Sequence, residues 1–380
     1  MVDWVVVGAG FTGATLAERI ASQRNERVLV VERRNHIGGN AHDRRNAAGL
    51  LVHQYGPHIF HTNSLQVWDY LRPFSDWRPY EHRVRASIDG QLVPLPFNLN
   101  TIDAVFPVGK ATRYATLLTE RYGEGGRIPI LKLMALNDPH MRELSTFIYE
   151  KVFLTYTIKQ WGLRPEELSP SVTARVPVLV SRDDRYFQDK VQQMPAAGYT
   201  ALFDRMLNHP NISLLLGTDY RAIATRYPSA RIIFTGPIDE FFNYQFGQLP
   251  YRTIRFQERM IEAARFQPVG TVNYPGKEPY TRITEMKHLT GETGPRSALL
   301  YEYATAHIPG VTEPYYPIPQ GSNQTLLNRY LELAQRRDDV FFCGRLGDYR
   351  YYNMDQAVGA ALALFRTICK VDRMDNITAS

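Results

Sequence analysis

Cysteine is almost missing from this chain, with 2 in 380 residues, Cys343 and Cys369. So few thiols exclude a disulfide framework and fit a reducing compartment, and with no CxxC or HExxH spacing anywhere the common zinc arrangements lack ligands. Long apolar runs are missing too. The longest, "AVGAALALF" (357–365), falls well short of the roughly 20 residues a membrane-spanning helix needs. There is no Lys/Arg-rich run either: the formal charge of +6 comes from scattered cations, and small anionic ligands explain the excess as well as nucleic acid does. The start, "MVDWVVVGAGFTG", passes from an apolar strand straight into a glycine turn with no charged leader or cleavage site, so a cytoplasmic protein is expected. What the chain has in abundance is tyrosine, 23 residues, several of them near arginines. A tyrosine offers a ring to stack on and a hydroxyl to bond phosphate, although any large core also collects rings.

At 380 residues the chain exceeds what one hydrophobic core usually holds, so two or three modules are expected. The first is the most legible. "DWVVVGAGFTGATLAERIA" runs from an apolar strand through Gly8-x-Gly10-x-x-Gly13 into an amphipathic helix, and the next strand, "RVLVVE", ends on Glu32. Gly8 permits a tight turn, Gly10 lets backbone approach a pyrophosphate, and Gly13 lets helix and strand pack closely; the helix N-terminus, with Phe11 and Thr12, supplies the positive end. An acid about 20 residues beyond the glycines is where a ribose-binding carboxylate belongs, which makes Glu32 the adenosine ligand. Arg33 and Arg34 follow so closely that a 2′-phosphate remains open. Next comes "RRNHIGGNAHD", whose second glycine pair, Gly38-Gly39 followed by Asn40, resembles the FAD proteins in which a second glycine-rich loop closes over the cofactor.

Farther along, "VRASIDGQLVPLPF" alternates around Asp89-Gly90, the preferred chemistry of a two-residue hairpin turn. The pattern is mostly helical from about Thr101 to Trp161, with Asn137 or Asp138 as a cap and Pro139 opening one helix. Strands resume at "ISLLLG", "ARIIFTGP", "GTVNYP" and "ALLYEYA". The end gives another strand, a turn holding Gly344, Arg345 and Gly347, and a long helix. The expected class is α/β: a Rossmann-like FAD-binding domain (1–80, 200–245 and 320–380), a helical domain (100–175, with a mobile loop to about 190) and an antiparallel sheet domain (81–99 and 246–319).

"YGPHIFHTN" (55–63) holds His58 and His61, with His53 just upstream. A zinc site would need a second ligand cluster, and none is present. Gly56-Pro57 argues for a turn or extended strand, in which residues three apart point oppositely.

"GAGFTG", "HIGGN", "YGPHIFHTN", "PFNLNT", "YTIKQWG", "MPAAGYT", "TGPIDEFF", "YTRITEMKH" and "GRLGDYRYYNMD" together, in order over nearly the whole chain, resemble the UDP-galactopyranose mutase family. The resemblance implies an isomerase acting in cell-wall polysaccharide biosynthesis. It would interconvert UDP-galactopyranose and UDP-galactofuranose on reduced FAD, N5 of the flavin forming a sugar adduct as UDP departs and re-adds. It further implies an external reductant, a nucleotide-diphosphate sugar as partner and a homodimer. Arg175, on the mobile loop, and Arg282 would clamp the diphosphate, helped by Tyr186, Tyr316 and Tyr351, with Arg252 in the same field. Tyr156, Thr157 and Trp161 match positions that receive the uridine. His61 matches the histidine beside flavin N5, His58 a structural hydrogen-bonder, and His53 is read as incidental. Gly39, Asn40, Arg33, His58, Ile59, Arg345 and Met354 complete the expected cofactor contacts.

Two positions depart from the family pattern. Val152 stands where a phenylalanine near the uracil is common, and Asn353 where many members carry an aspartate. A lost ring weakens stacking, and an amide for a carboxylate changes charge and donors. A mutase for dTDP-fucopyranose or UDP-N-acetylgalactosamine is therefore an alternative. An amine-oxidase-like FAD oxidoreductase and a non-catalytic nucleotide-sugar binder are rival classes.

Overall fold

A computed structural model describes residues 2–318 and 320–378, with side chains through residue 372; Met1 and residues 379–380 of the expected cofactor segments lie outside it. The apolar runs read as cofactor-domain strands form one parallel sheet of five, in the order Ile212–Leu216, Val28–Glu32, Trp4–Val7, Arg231–Phe234, Val340–Phe342. Parallel strands are covered on both faces, which is why Val5 and Val6 are both buried although they point oppositely. The helix Phe11–Arg24 packs against the C-terminal helix Met354–Thr378, and Leu16, Ile20, Phe60, Phe203 and Val358 are fully buried between these layers. The chain ends thus return to the first strand–helix unit as expected.

A second sheet has seven strands, in the order Tyr316–Pro317, Tyr251–Ile261, Ser297–Ala306, Arg282–Glu285, Thr271–Asn273, Val84–Ile88, Gln91–Leu95. The expectation of an antiparallel sheet needs one correction: Thr271–Asn273 and Val84–Ile88 pair in parallel. A connection running through the whole helical segment is long enough to permit that direction, which a tight turn would forbid. The hairpin turn at Asp89-Gly90 has both residues at positive φ, as a two-residue turn of this hand requires.

Helices Val108–Tyr122 and Pro139–Ile148 pack on that hairpin, burying Tyr114, Leu118, Leu144 and Ile148 against Val84 and Val93. Asp138 caps the latter helix by accepting from the Met141 N–H at 2.8 Å, with Pro139 opening it. A small antiparallel sheet joins Phe60–Thr62, Val191–Pro195 and Trp77–Pro79. Among the described residues no helix is long and apolar enough to cross a membrane.

Candidate functional site

A cavity of about 850 Å³ runs along the C-terminal edge of the parallel sheet, where such sheets place ligands. Gly8, Gly10, Phe11, Thr12, Glu32, Arg33, Gly39, Asn40, His58, Arg345 and Met354, expected as cofactor contacts, all line it, and so does Asn353. Gly13 and Ile59 stand behind the wall instead. A Cβ on Gly13 would come within 1.9 Å of the Gly8 carbonyl oxygen, so its role is the close helix–strand packing read from the motif. Ile59 lies in the core.

The second glycine pair is no ordinary turn. Gly39 has φ +54°, and a Cβ there would meet the Gly10 Cα at 2.9 Å, while the Gly38 N–H donates to the Ala9 carbonyl at 2.9 Å. Both glycine loops therefore press their backbones together at one end of the cavity. Glu32 ties them: its carboxylate accepts from the Ala9 N–H at 2.9 Å and the Arg34 N–H at 3.0 Å. Each carboxylate oxygen has a further lone pair for a ribose hydroxyl. Arg33 and Arg34 are engaged by carboxylates, both with Glu313 (2.5 and 3.2 Å) and Arg33 with Glu240 (3.8 Å). Their charge is balanced without a 2′-phosphate.

The histidine segment sorts itself by depth. His53, read as incidental, is 1% exposed and accepts the His58 N–H on Nδ1 at 3.1 Å, so it anchors the turn. Burial holds His53 neutral, its pKa pushed down to about 4; burial and then His53 take His58 down to about 3. His61 leaves this pair, for the strand Phe60–Thr62 turns it to the other face. There its ring stacks on Phe187 at 3.6 Å, and Nδ1 meets the Asp189 carboxylate at 2.9 Å.

Beyond Asn353 the wall changes character. Arg175 donates to the Tyr351 carbonyl at 3.3 Å and to the Asn353 side-chain oxygen, with its guanidinium 4.0 Å from the Tyr351 ring centre. Tyr316 and Tyr351 meet edge to face at 4.8 Å, and Trp161 contacts both, at 5.9 and 5.5 Å. Arg345 lies 5.1 Å from the Tyr316 ring centre. Arg282 donates to the Tyr156 hydroxyl at 2.7 Å and pairs with Glu302 at 3.4 Å. Burial works against the Arg282 charge, yet Glu302 and the hydroxyls of Tyr156, Tyr316 and Tyr186 outweigh it and raise its pKa. Glu302, 3% exposed, is pushed up by burial while Arg282 opposes the shift. The cluster is cationic and rich in hydroxyls, suited to a diphosphate flanked by a flat ring.

Three expected substrate contacts sit differently. Arg252 is 7% exposed, its Nε and Nη2 donating to the Gln160 and Lys159 carbonyls at 2.9 and 3.1 Å; it caps the helix Thr155–Trp161, because a chain end with free carbonyls attracts a cation. Val152 is buried in the helical core, within the π-helical turn Tyr149–Leu154 that leads into the Tyr156 helix. Thr157 is buried on that helix.

Sequence reasoning missed Lys159, Glu302, His82 and Asp189. Lys159 donates to the carbonyls of Tyr274, Glu278 and Tyr280, bolting the Tyr156 helix to the loop before Arg282. His82 is 3% exposed and neutral, pushed down to about 3 by burial and then Arg282. A lysine within "YTIKQWG" gives no local hint of three carbonyl partners more than a hundred residues away.

A family model described as UDP-galactopyranose mutase matches residues 151–351, and one described as an NAD(P)-binding Rossmann-like domain matches residues 6–74. The chain is 38% identical to a Klebsiella pneumoniae protein named "Probable UDP-galactopyranose mutase", over 94% of this chain and 92% of that one. It is 35% identical to dTDP-fucopyranose mutase of Escherichia coli, over 94% and 96% of the two chains. A crystal structure of reduced UDP-galactopyranose mutase superposes with a TM-score of 0.72, at 16% identity over 98% of this chain and 96% of that one. Putrescine oxidase bound to putrescine gives a TM-score of 0.52 at 13% identity, over 97% and 99%. At these identities the two structures show a shared fold.

Proposed function

This chain belongs to the UDP-galactopyranose mutase family, a family of isomerases, and from that premise we propose that it interconverts UDP-galactopyranose and UDP-galactofuranose using bound, reduced FAD. One observation carries the reading: two guanidiniums, Arg175 and Arg282, stand among the hydroxyls of Tyr156, Tyr186, Tyr316 and Tyr351, and the cluster joins the dinucleotide-sized cavity through Asn353. An oxidase that only removes electrons from its substrate has no use for such a phosphate clamp.

The cavity fits FAD by its paired glycine loops, by Glu32 at the ribose end and by Arg345 in its wall. Bound there and reduced, FAD would supply an electron-rich nitrogen as nucleophile. The chain's own residues bind and orient. Trp161 and Tyr156 receive the uridine, while Arg175 and Arg282 hold the diphosphate and neutralise charge that grows as the glycosyl–phosphate bond breaks. Arg345 pins the Tyr352 carbonyl at 2.7 Å, which fixes the segment carrying Tyr351 and Asn353. Arg175 reaches across from its loop to that segment, so loop closure and phosphate contact come together and exclude water.

The 35% identity to a dTDP-fucopyranose mutase favours a second reading of the substrate. Val152 offers no ring to the base, and Asn353 presents a neutral amide where a carboxylate would compete for Arg175. Incubating dithionite-reduced protein separately with UDP-galactofuranose, UDP-N-acetylgalactosamine and dTDP-fucose, with product analysis, tests both. Isomer from one sugar, formed with catalytic reductant and not by oxidised protein, is the expected result. Stoichiometric consumption of an electron acceptor would overturn the mutase reading in favour of an oxidase.

A further inference from the structure

We propose that Asp189 is a positioning residue for the isomerisation, holding the His61 imidazole with its proton on Nδ1 so that Nε2 offers a lone pair to an N–H or O–H donor of the bound cofactor–sugar pair. The proposal rests on the mutase reading above for its catalytic part. Its structural part stands on the geometry alone.

The ring is fixed in two independent ways. Stacking on Phe187, with centres 3.6 Å apart and planes 14° off parallel, sets the imidazole plane; Phe187 in turn meets Tyr186 edge to face at 5.0 Å. The 2.9 Å contact between His61 Nδ1 and Asp189 Oδ2 then sets which way round the ring lies in that plane. A carboxylate only accepts, so the shared proton sits on Nδ1. The hydrogen bond from His61 is the main cause that lowers the Asp189 pKa, which keeps the group ionised and accepting at neutral pH. His61 Nε2 has no hydrogen-bond partner among the described residues, so its lone pair is left for a ligand.

Asp189 is itself held. Its other oxygen accepts from Asn63 Nδ2 at 2.7 Å, and Asn63 cannot turn over because its own side-chain oxygen accepts the Lys190 N–H at 3.0 Å. Gln192 Nε2 grips the Phe187 and Asp189 carbonyls, both at 3.1 Å, and Gln192 is the strand partner of His61. Asp189, Phe187 and His61 therefore move as one unit.

This arrangement makes an isosteric variant informative. In Asp189→Asn the new amide must turn its oxygen to the fixed Asn63 donor, which points its NH₂ at His61 Nδ1 and forces the proton to Nε2. Long-range ¹H–¹⁵N spectra of histidine-labelled oxidised holoenzyme read the tautomer directly. We expect the Nδ1–H form in the wild type and the Nε2–H form in D189N, with an unchanged thermal midpoint. We also expect kcat lower by about 10- to 100-fold, KM within about twofold, and a shifted pH profile, as when partners that orient a functional histidine are lost. A wild-type ring that is Nε2–H or doubly protonated overturns the proposal, as does a D189N enzyme whose tautomer switches while kcat and pH profile stay put. If the wild type isomerises no nucleotide sugar, the mutase reading fails, and the tautomer spectra still decide whether Asp189 sets the ring.

Discussion

The glycine cradle and the arginine–tyrosine cluster share a wall at Asn353, yet they are built in opposite ways. The cradle is backbone: Gly8, Gly10, Gly13 and Gly39 come from the first forty residues, and a side chain added at Gly13 or Gly39 would strike main chain. The cluster is side chains: Tyr156, Arg175, Arg282, Tyr316 and Tyr351 come from five segments between residues 156 and 351, and hydrogen bonds and charge hold it. Failure should accordingly be steric in one region and electrostatic in the other.

The largest effect should follow from Gly13→Val, which drives a side chain into the Gly8 carbonyl. We expect no soluble yellow protein, or a thermal midpoint about 4 °C lower, from roughly 3 kcal/mol of overpacking. Gly10→Ala is the counterpart, since its Cβ meets Gly39 only at ordinary contact, 3.7 Å. It should keep the fold and lose cofactor affinity alone, as titration of the apoprotein with FAD would report. Equal behaviour of the two variants would break the steric account.

On the cluster side, Arg282→Met should lower kcat/KM by about 10³-fold while flavin content holds. It should also cost roughly 2 kcal/mol in denaturant unfolding, because Glu302 is left buried without its cation. Adding Glu302→Gln should recover most of that stability and none of the activity. Arg175→Ala, on a partly exposed loop, should lose about 10²-fold in turnover with stability unchanged within about 0.5 kcal/mol.

Acid should weaken both regions together. His53 behind the cavity-lining His58 and His82 near the cluster have folded pKa values of about 4 and about 3, below the ordinary 6.5. Depressed values mean that their contribution is complete above pH 6.5 and lost as pH falls toward 4 and 3, on the order of 3 kcal/mol for His53 and 5 kcal/mol for His82. Unfolding free energies at pH 7.5 and pH 5 should differ in that direction, and His53→Asn should flatten the slope. The smallest effect belongs to Val152→Phe. Burial in the helical core makes it cost about 1 kcal/mol by overpacking, with nucleotide affinity measured alongside to see whether the ring reaches the base.

The hairpin at Asp89-Gly90 and the helix start at Asp138-Pro139 were readable because each depends on neighbours in the chain. The long strand Tyr251–Ile261 was not. Its first four residues are buried on both faces, so "YRTIRFQERMI" lacks the alternation that marks a strand. The strand Val191–Pro195, polar by composition, also escaped notice, and with it the partner that aligns His61 and Asp189.

By itself the sequence determined the cofactor cradle, because glycine spacing, strand and helix are successive and their chemistry is local. It also carried the family, through motifs spread along the chain. Only the tertiary structure decided which charges are free. It committed Arg252 to helix carbonyls and Arg33 to Glu313, buried Glu302 beside Arg282, and set Asp189 against His61. Those pairings join residues from 20 to 280 positions apart, where local sequence pattern does not register them, and a partner's distance, not a residue's type, fixes what its charge can do.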